Sequence, residues 1–296
     1  MPAKALSLID VSRRIGAVRE LLTHTDSPSP CVALLVTSAV NIRWLTGFTG
    51  SAGMLLISLL PEAPSYLITD GRYIAQAEQQ LRMSQSPVEI IEKRSLKDQL
   101  QFVVSEILES HESAGEVCLG IESHEVSVEL LQQLESEVAS HGSQTQKLTW
   151  KAIQEVFIDL RRSKTPAELE RITLAASIAD SALQSVAHML VPGISEEQFC
   201  LHLDHAMREM GAQDVSFPSI VAFGENSALP HHRPSRKVLN HDEVVVIDFG
   251  ALVDGYHSDM TRTYLLGEVD PVLQTMLDVV TEAQVRGVAA VRAGEL

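Results

Sequence analysis

Two domains of different class are predicted by this 296-residue sequence, an α/β domain followed by an α+β domain. Three observations carry that expectation. Short apolar runs alternate with amphipathic stretches up to about residue 140, a polar turn-rich stretch (SHGSQTQ, 140–146) interrupts them, and long helical segments leading into strands follow. The length suits two separate cores. The domains are therefore placed at 1–145 and 146–296, with the linker at their junction.

In the first domain, residues 1–22 have the apolar spacing of an amphipathic helix. Asp10, Arg13 and Arg14 fall where a signal peptide would need an apolar stretch. Strands are expected at 31–36, 54–59 and 65–69, the third after the breaker Pro-Glu-Ala-Pro. Asp70-Gly71 turns into a helix at 73–82, and then come a strand at 88–91, a helix at 96–110, a strand at 117–121 and a helix at 126–140. The second domain opens with helices at 151–162, 167–190 and 195–210. Thr165-Pro166-Ala167-Glu168 supplies an N-cap, a first-turn proline and an early acid. Strands and loops run from Phe217, and a helix over about 272–291 closes the chain.

Hydrophobic residues at 45% and charged residues at 21% give an ordinary globular balance, while aromatics at 4% leave the core to aliphatic side chains. A net charge of -16 opposes nucleic acid, which needs a basic surface, and opposes an anionic membrane surface. The longest apolar run, 53–60, is too short to span a bilayer. Cys31, Cys118 and Cys200 are odd in number and lack zinc-ligand spacing, as expected of reduced thiols in a cytoplasmic protein.

The most informative stretch is EVVVIDFGALVDGYHSDMTRTYLL at 243–266. It reads as a β-hairpin with strands at 244–249 and 256–266 and an Asp-Gly turn. With the turn centred between Val253 and Asp254, Asp248 and Asp259 face each other across the strands. Two opposed carboxylates beside an apolar strand repel and are desolvated, and a divalent cation relieves both effects. The other reading is that one aspartate caps a turn and the other is solvated. Upstream, GENSALPHHRP at 224–234 places His231 behind a proline in a polar loop. There it is either simply exposed or able to donate to a substrate carbonyl or oxyanion.

These motifs resemble the Xaa-Pro aminopeptidase and Xaa-Pro dipeptidase (prolidase) family, pita-bread metallopeptidases related to creatinase and methionine aminopeptidase. The matching stretches are NSALPH at 226–231, VIDFGA at 246–251 and SDMTRT at 258–263. In the first domain, NIRWLTGFTGSAG at 41–53 and LITDGRY at 67–73 are similar to the family's accessory domain. The resemblance implies a creatinase-type α/β N-terminal domain followed by an α+β pita-bread catalytic domain. The implied activity is metal-dependent hydrolysis of the bond before proline in peptides, by a homodimer, at a site holding two divalent ions (manganese, cobalt or zinc). Carried over by motif, Asp248 and Asp259 would be metal ligands and His231 the catalytic loop histidine. Arg72 and Tyr73, read first as part of a turn into a helix, would stand near the substrate entrance or an oligomer contact.

The family's other ligands, a histidine and two glutamates, follow the second aspartate at a distance, whereas this sequence ends at Leu296. The expectation is an incomplete, C-terminally truncated catalytic domain, inactive alone. His257 is the best stand-in ligand, and Glu282, His202 and His205 read as solvated helix positions. The alternative is a non-catalytic pita-bread relative that binds peptides or proteins.

Overall fold

The computed structural model describes residues 5–23, 31–60, 63–111, 115–141, 147–153 and 156–294. Two compact units divide between Thr165 and Pro166, with Ala5 and Leu6 joining the second.

The first unit contains α1 (Arg14–Thr23), β1 (Ala33–Val36), α2 (Ala39–Thr46), β2 (Met54–Ser58), β3 (Ser65–Thr69) and α3 (Ile74–Met83). It continues with β4 (Glu89–Glu92), α4 (Leu96–Glu109), β5 (Glu116–Ile121), α5 (Val128–Ser140), β6 (Lys147–Ala152) and α6 (Val156–Arg162). The strands form one mixed sheet in the order β4-β3-β2-β1-β5-β6. β1 is buried along its whole length because side chains on both of its faces are covered. Leu34 and Val36 join a core with Leu55, Leu67 and Phe157, while Ala33 and Leu35 join a second core with Val103, Ile107 and Leu134. This is the expected α/β domain, with helices on both faces of the sheet.

The boundary expected at 145/146 is corrected. Residues 142–146 of the polar stretch lie outside the described residues. The strand that follows it, β6, pairs in parallel with β5 from Glu116↔Lys147 to Ile121↔Ala152, so it completes the first sheet. Lys151 and Ala152 of the helix expected over 151–162 therefore belong to this strand, and the described helix is Val156–Arg162. Leu148-Thr149-Trp150 suits a half-buried edge, and the pairing partner on β5 decides the outcome. α2 has no counterpart in the sequence reading. It is stopped by Gly47 at φ +78°, and the fully buried Glu122 accepts from Thr37 N (2.7 Å), Ser38 N (2.9 Å) and Asn41 Nδ2 (2.5 Å) at its start.

The second unit contains α7 (Pro166–Val186), α8 (Glu196–Glu209), β7 (Asp214–Val215), β8 (Ile220–Phe223), β9 (Val244–Phe249), β10 (Ala251–Val253), β11 (Tyr256–His257), β12 (Met260–Leu265) and α9 (Pro271–Ala290). β12-β9-β8 and β11-β10-β7 are three-stranded antiparallel sheets. Burial alternates along β9: Val245, Ile247 and Phe249 enter the core with Phe199, Leu203 and Val221, while Val244, Val246 and Asp248 lie on the half-open face. No residue of α9 is buried. No helix among the described residues is long and apolar enough to cross a membrane.

Candidate metal centre

A two-residue turn fixes the hairpin. Asp254 and Gly255 have φ of 45° and 75°, the positive pair that a type I′ turn requires. The turn is anchored to α7 from both sides: Arg171 Nε donates to Asp254 Oδ2 at 2.6 Å and Tyr256 Oη donates to Glu168 Oε1 at 2.9 Å. Val253 pairs with Tyr256 and Leu252 with His257, so the turn centre lies one residue later than the sequence reading placed it.

The expected opposition of Asp248 and Asp259 is corrected accordingly. Asp248 pairs with Thr261, and Asp259 lies two residues earlier, at the break between β11 and β12. A two-residue displacement preserves side-chain parity, so the aspartates become diagonal neighbours on one face. The break is built from close backbone approach. A side chain on Gly250 would overlap the Ser258 carbonyl, while Ala251 N donates to Ser258 Oγ at 2.9 Å and Ser258 N to Ala251 O at 3.0 Å.

Asp248 is half-buried and Asp259 exposed. Thr261 Oγ1 donates to Asp248 Oδ1 at 3.1 Å. Burial pushes the Asp248 carboxyl above its ordinary value; the Thr261 hydrogen bond opposes this and the charge of Asp259 adds to it. Two acids thus share a region in which one is already reluctant to ionise. That donor set fits a divalent cation, since hard oxygen ligands would lose their mutual repulsion to it. Among the described residues there is no group of three or more histidine, cysteine, aspartate or glutamate side chains that could hold a metal ion.

His231 is exposed in the loop between β8 and β9. The carboxylate of Glu196, fully buried in the first turn of α8, organises this loop. Its Oε1 accepts from Phe223 N (2.8 Å) and Asn226 Nδ2 (2.9 Å). Its Oε2 accepts from Ser235 N (2.9 Å) and Ser235 Oγ (2.7 Å), and His232 Nε2 lies 2.8 Å away. Burial alone would raise this acid, but the hydrogen bonds from Asn226, His232, Ser235 and Phe223 prevail and hold it below the usual range. Sequence reasoning missed Glu196. The Ser195–Gln198 capping box marks only a helix start, and the partners of Glu196 lie 27 to 39 positions away.

Other candidates fall elsewhere. His257 Nδ1 lies 2.9 Å from Ser216 Oγ, so its ring is engaged by the residue that follows β7. His202 and His205 are exposed on α8, and Glu282 pairs with Arg286 at 2.6 Å on α9. Arg72 and Tyr73 belong to the first unit. Arg72 Nη2 pairs with Asp70 Oδ2 at 2.8 Å, and its guanidinium lies 5.4 Å from the Tyr73 ring centroid. Tyr73 Oη meets Ser51 Oγ at 2.6 Å.

Two family models match this architecture: the creatinase/prolidase N-terminal domain over residues 14–162 and metallopeptidase family M24 over residues 170–295. The uncharacterized peptidase YqhT of Bacillus subtilis is 35% identical over 261 residues, covering 88% of this chain and 68% of that protein. The Xaa-Pro dipeptidase of Pyrococcus furiosus is 28% identical over 265 residues, with coverages of 88% and 68%. Among solved structures, the Xaa-Pro dipeptidase from Bacillus anthracis superposes with a TM-score of 0.82 at 31% identity, over 96% of this chain and 73% of that one. The X-Pro aminopeptidase from Thermotoga maritima gives 0.75 at 29% identity, over 90% and 71%. The chain belongs to metallopeptidase family M24, with a creatinase-type domain preceding its pita-bread domain.

Proposed function

We propose that this architecture serves metal-dependent hydrolysis of the peptide bond preceding proline, with Asp248 and Asp259 as metal ligands and His231 as the group that steadies the scissile carbonyl. The observation that carries the reading is the acid pair on the hairpin: burial and the nearby Asp259 both disfavour the ionised form of Asp248, a conflict that a divalent cation relieves. Bound metal would supply Lewis-acid polarisation and an activated water at neutral pH. Thr261 engages Oδ1 of Asp248 and leaves Oδ2 for a cation. His231, exposed and fixed in a loop, is suited to donate to a carbonyl oxygen as charge develops there. Arg72 and Tyr73 are the first unit's candidates for contact with the peptide or a second subunit, and a homodimer is the expected assembly.

The described residues supply two of the ligands that the family resemblance implies, so the polypeptide alone should bind manganese, cobalt or zinc weakly and hydrolyse nothing. The test is release of amino acid from Gly-Pro and Arg-Pro-Pro by the purified 296-residue chain with each metal. Robust cleavage would overturn the expected inactivity. A second arm extends the coding sequence past Leu296 to include any downstream frame bearing a histidine and two glutamates. Metal-dependent cleavage confined to proline peptides is expected there, and equal cleavage of peptides lacking proline would overturn the substrate assignment. One other reading is a non-catalytic relative that binds peptides or proteins, and the presence of both Asp248 and Asp259 counts against it. Saturable binding of Arg-Pro-Pro by an extended chain that never cleaves it would select that reading.

A further inference from the structure

We propose that Glu196 is a positioning residue whose buried carboxylate fixes the 224–236 loop so that His231 is presented, with a free imidazole, toward the metal-binding aspartates. This rests on the metallopeptidase reading above. One carboxylate gathers the loop at both ends: Phe223 and Asn226 on Oε1, Ser235 and His232 on Oε2. The same segment is held along its return by Glu196 N to Lys237 O at 3.0 Å and Glu197 N to Ser235 O at 3.0 Å. Adjacent histidines are thereby given different fates. His232 is pinned against Glu196 with its side chain 10% exposed, whereas His231 is exposed and no hydrogen bond to it is found among the described residues. A glutamate with neither oxygen free for a ligand has no catalytic task of its own. Its effect passes through the loop.

The charge of Glu196 is essential to this arrangement. Every group around it can donate, so the amide nitrogen of a glutamine would face at least one N–H. The experiment uses the isotopically labelled 296-residue chain and Glu196→Gln, with two NMR readouts. Amide exchange at Phe223 and Ser235 should accelerate by about tenfold or more in E196Q while Val245 and Ile247 stay unchanged. Paramagnetic Mn2+, added alone, should broaden Thr261 and His231 in the wild type. In E196Q the broadening at Thr261 should persist and its ratio to that at His231 should change by at least about twofold, because the loop no longer holds one geometry.

The proposal is overturned if exchange is unchanged, if His231 escapes broadening while Thr261 is broadened, or if exchange rises with an unaltered broadening ratio. The last result would make Glu196 a fold staple only. No broadening at Thr261 in either protein would sink the metal assignment, and the presentation of His231 toward it falls with that reading, whereas the three outcomes above overturn the positioning claim alone. If far-UV circular dichroism shows E196Q unfolded, Ser235→Ala, which removes the Oγ donation to Glu196 together with the Oγ acceptance from Lys237 N and keeps the Ser235 N bond, takes its place in both readouts.

Discussion

Glu196 and Asp248 lie in the same unit, and their surroundings treat a negative charge in opposite ways. Glu196 is fully buried, yet Asn226, His232, Ser235 and Phe223 hold it ionised. Asp248 is only half-buried, receives one hydrogen bond from Thr261, has Asp259 as a neighbour and holds its proton more tightly than a free aspartate does. Depth of burial would have predicted the reverse. Saturation with donors decides instead, because a carboxylate with its lone pairs filled is comfortable in the interior and one without them awaits a cation. Donors surround the first acid, and the second is left short of them.

The strongest blow to that contrast is removal of the satisfied acid. Glu196→Ala leaves several buried donors without an acceptor and should cost about 3–5 kcal/mol of stability in urea unfolding. A loss below about 1 kcal/mol would mean that water readily replaces the carboxylate, and the contrast would collapse. The unsatisfied acid should respond to metal instead. Mn2+ at about 100 times its Kd should stabilise the chain by roughly 2.7 kcal/mol, and the gain should disappear in Asp248→Asn. Calorimetric titration, with and without a chelator, checks both statements.

How much of this was legible in sequence follows from the range of the interactions. β9 and the Asp-Gly turn could be read because apolar patterning and positive-φ preference are local properties. The register could not be fixed to the residue: placing the turn one position early exchanged Thr261 for Asp259 opposite Asp248. β6 was hidden because its strand character depends on β5, which precedes it by a whole helix, and the intended boundary separated the two. The motifs, through a family resemblance, singled out the aspartates and His231 as candidates. Glu196 stayed invisible, since nothing local distinguishes it from Glu197, which is partly exposed and faces Arg236 at 3.9 Å.

A milder perturbation tests whether the turn sets the relation between the aspartates. Gly255 holds φ of 75°, so Gly255→Ala should destabilise by about 1 kcal/mol through backbone strain. If the turn governs register, the same substitution weakens the Mn2+-induced stabilisation. An unchanged metal effect would assign the geometry to the Gly250–Ser258 contact instead.

The smallest expected effect carries the sign of the comparison. The folded chain holds the proton of Asp248 more tightly than the unfolded chain does, with burial as the main cause and Asp259 adding to it against the Thr261 hydrogen bond. Its favourable contribution is therefore complete below the ordinary value of 3.8 and is lost as pH rises through the raised folded value. Glu196 runs the other way: its contribution is present above the ordinary value of 4.5 and is lost as pH falls through the depressed folded value. In chelated buffer at neutral pH, Asp248→Asn should raise Tm slightly, by less than Gly255→Ala lowers it, and the advantage should fade in acid where the wild-type carboxyl is protonated. Differential scanning fluorimetry across a pH series reads both. A fall in Tm for the asparagine variant at neutral pH without metal would show that the ionised aspartate is already at ease, and the two carboxylates would then no longer differ in kind.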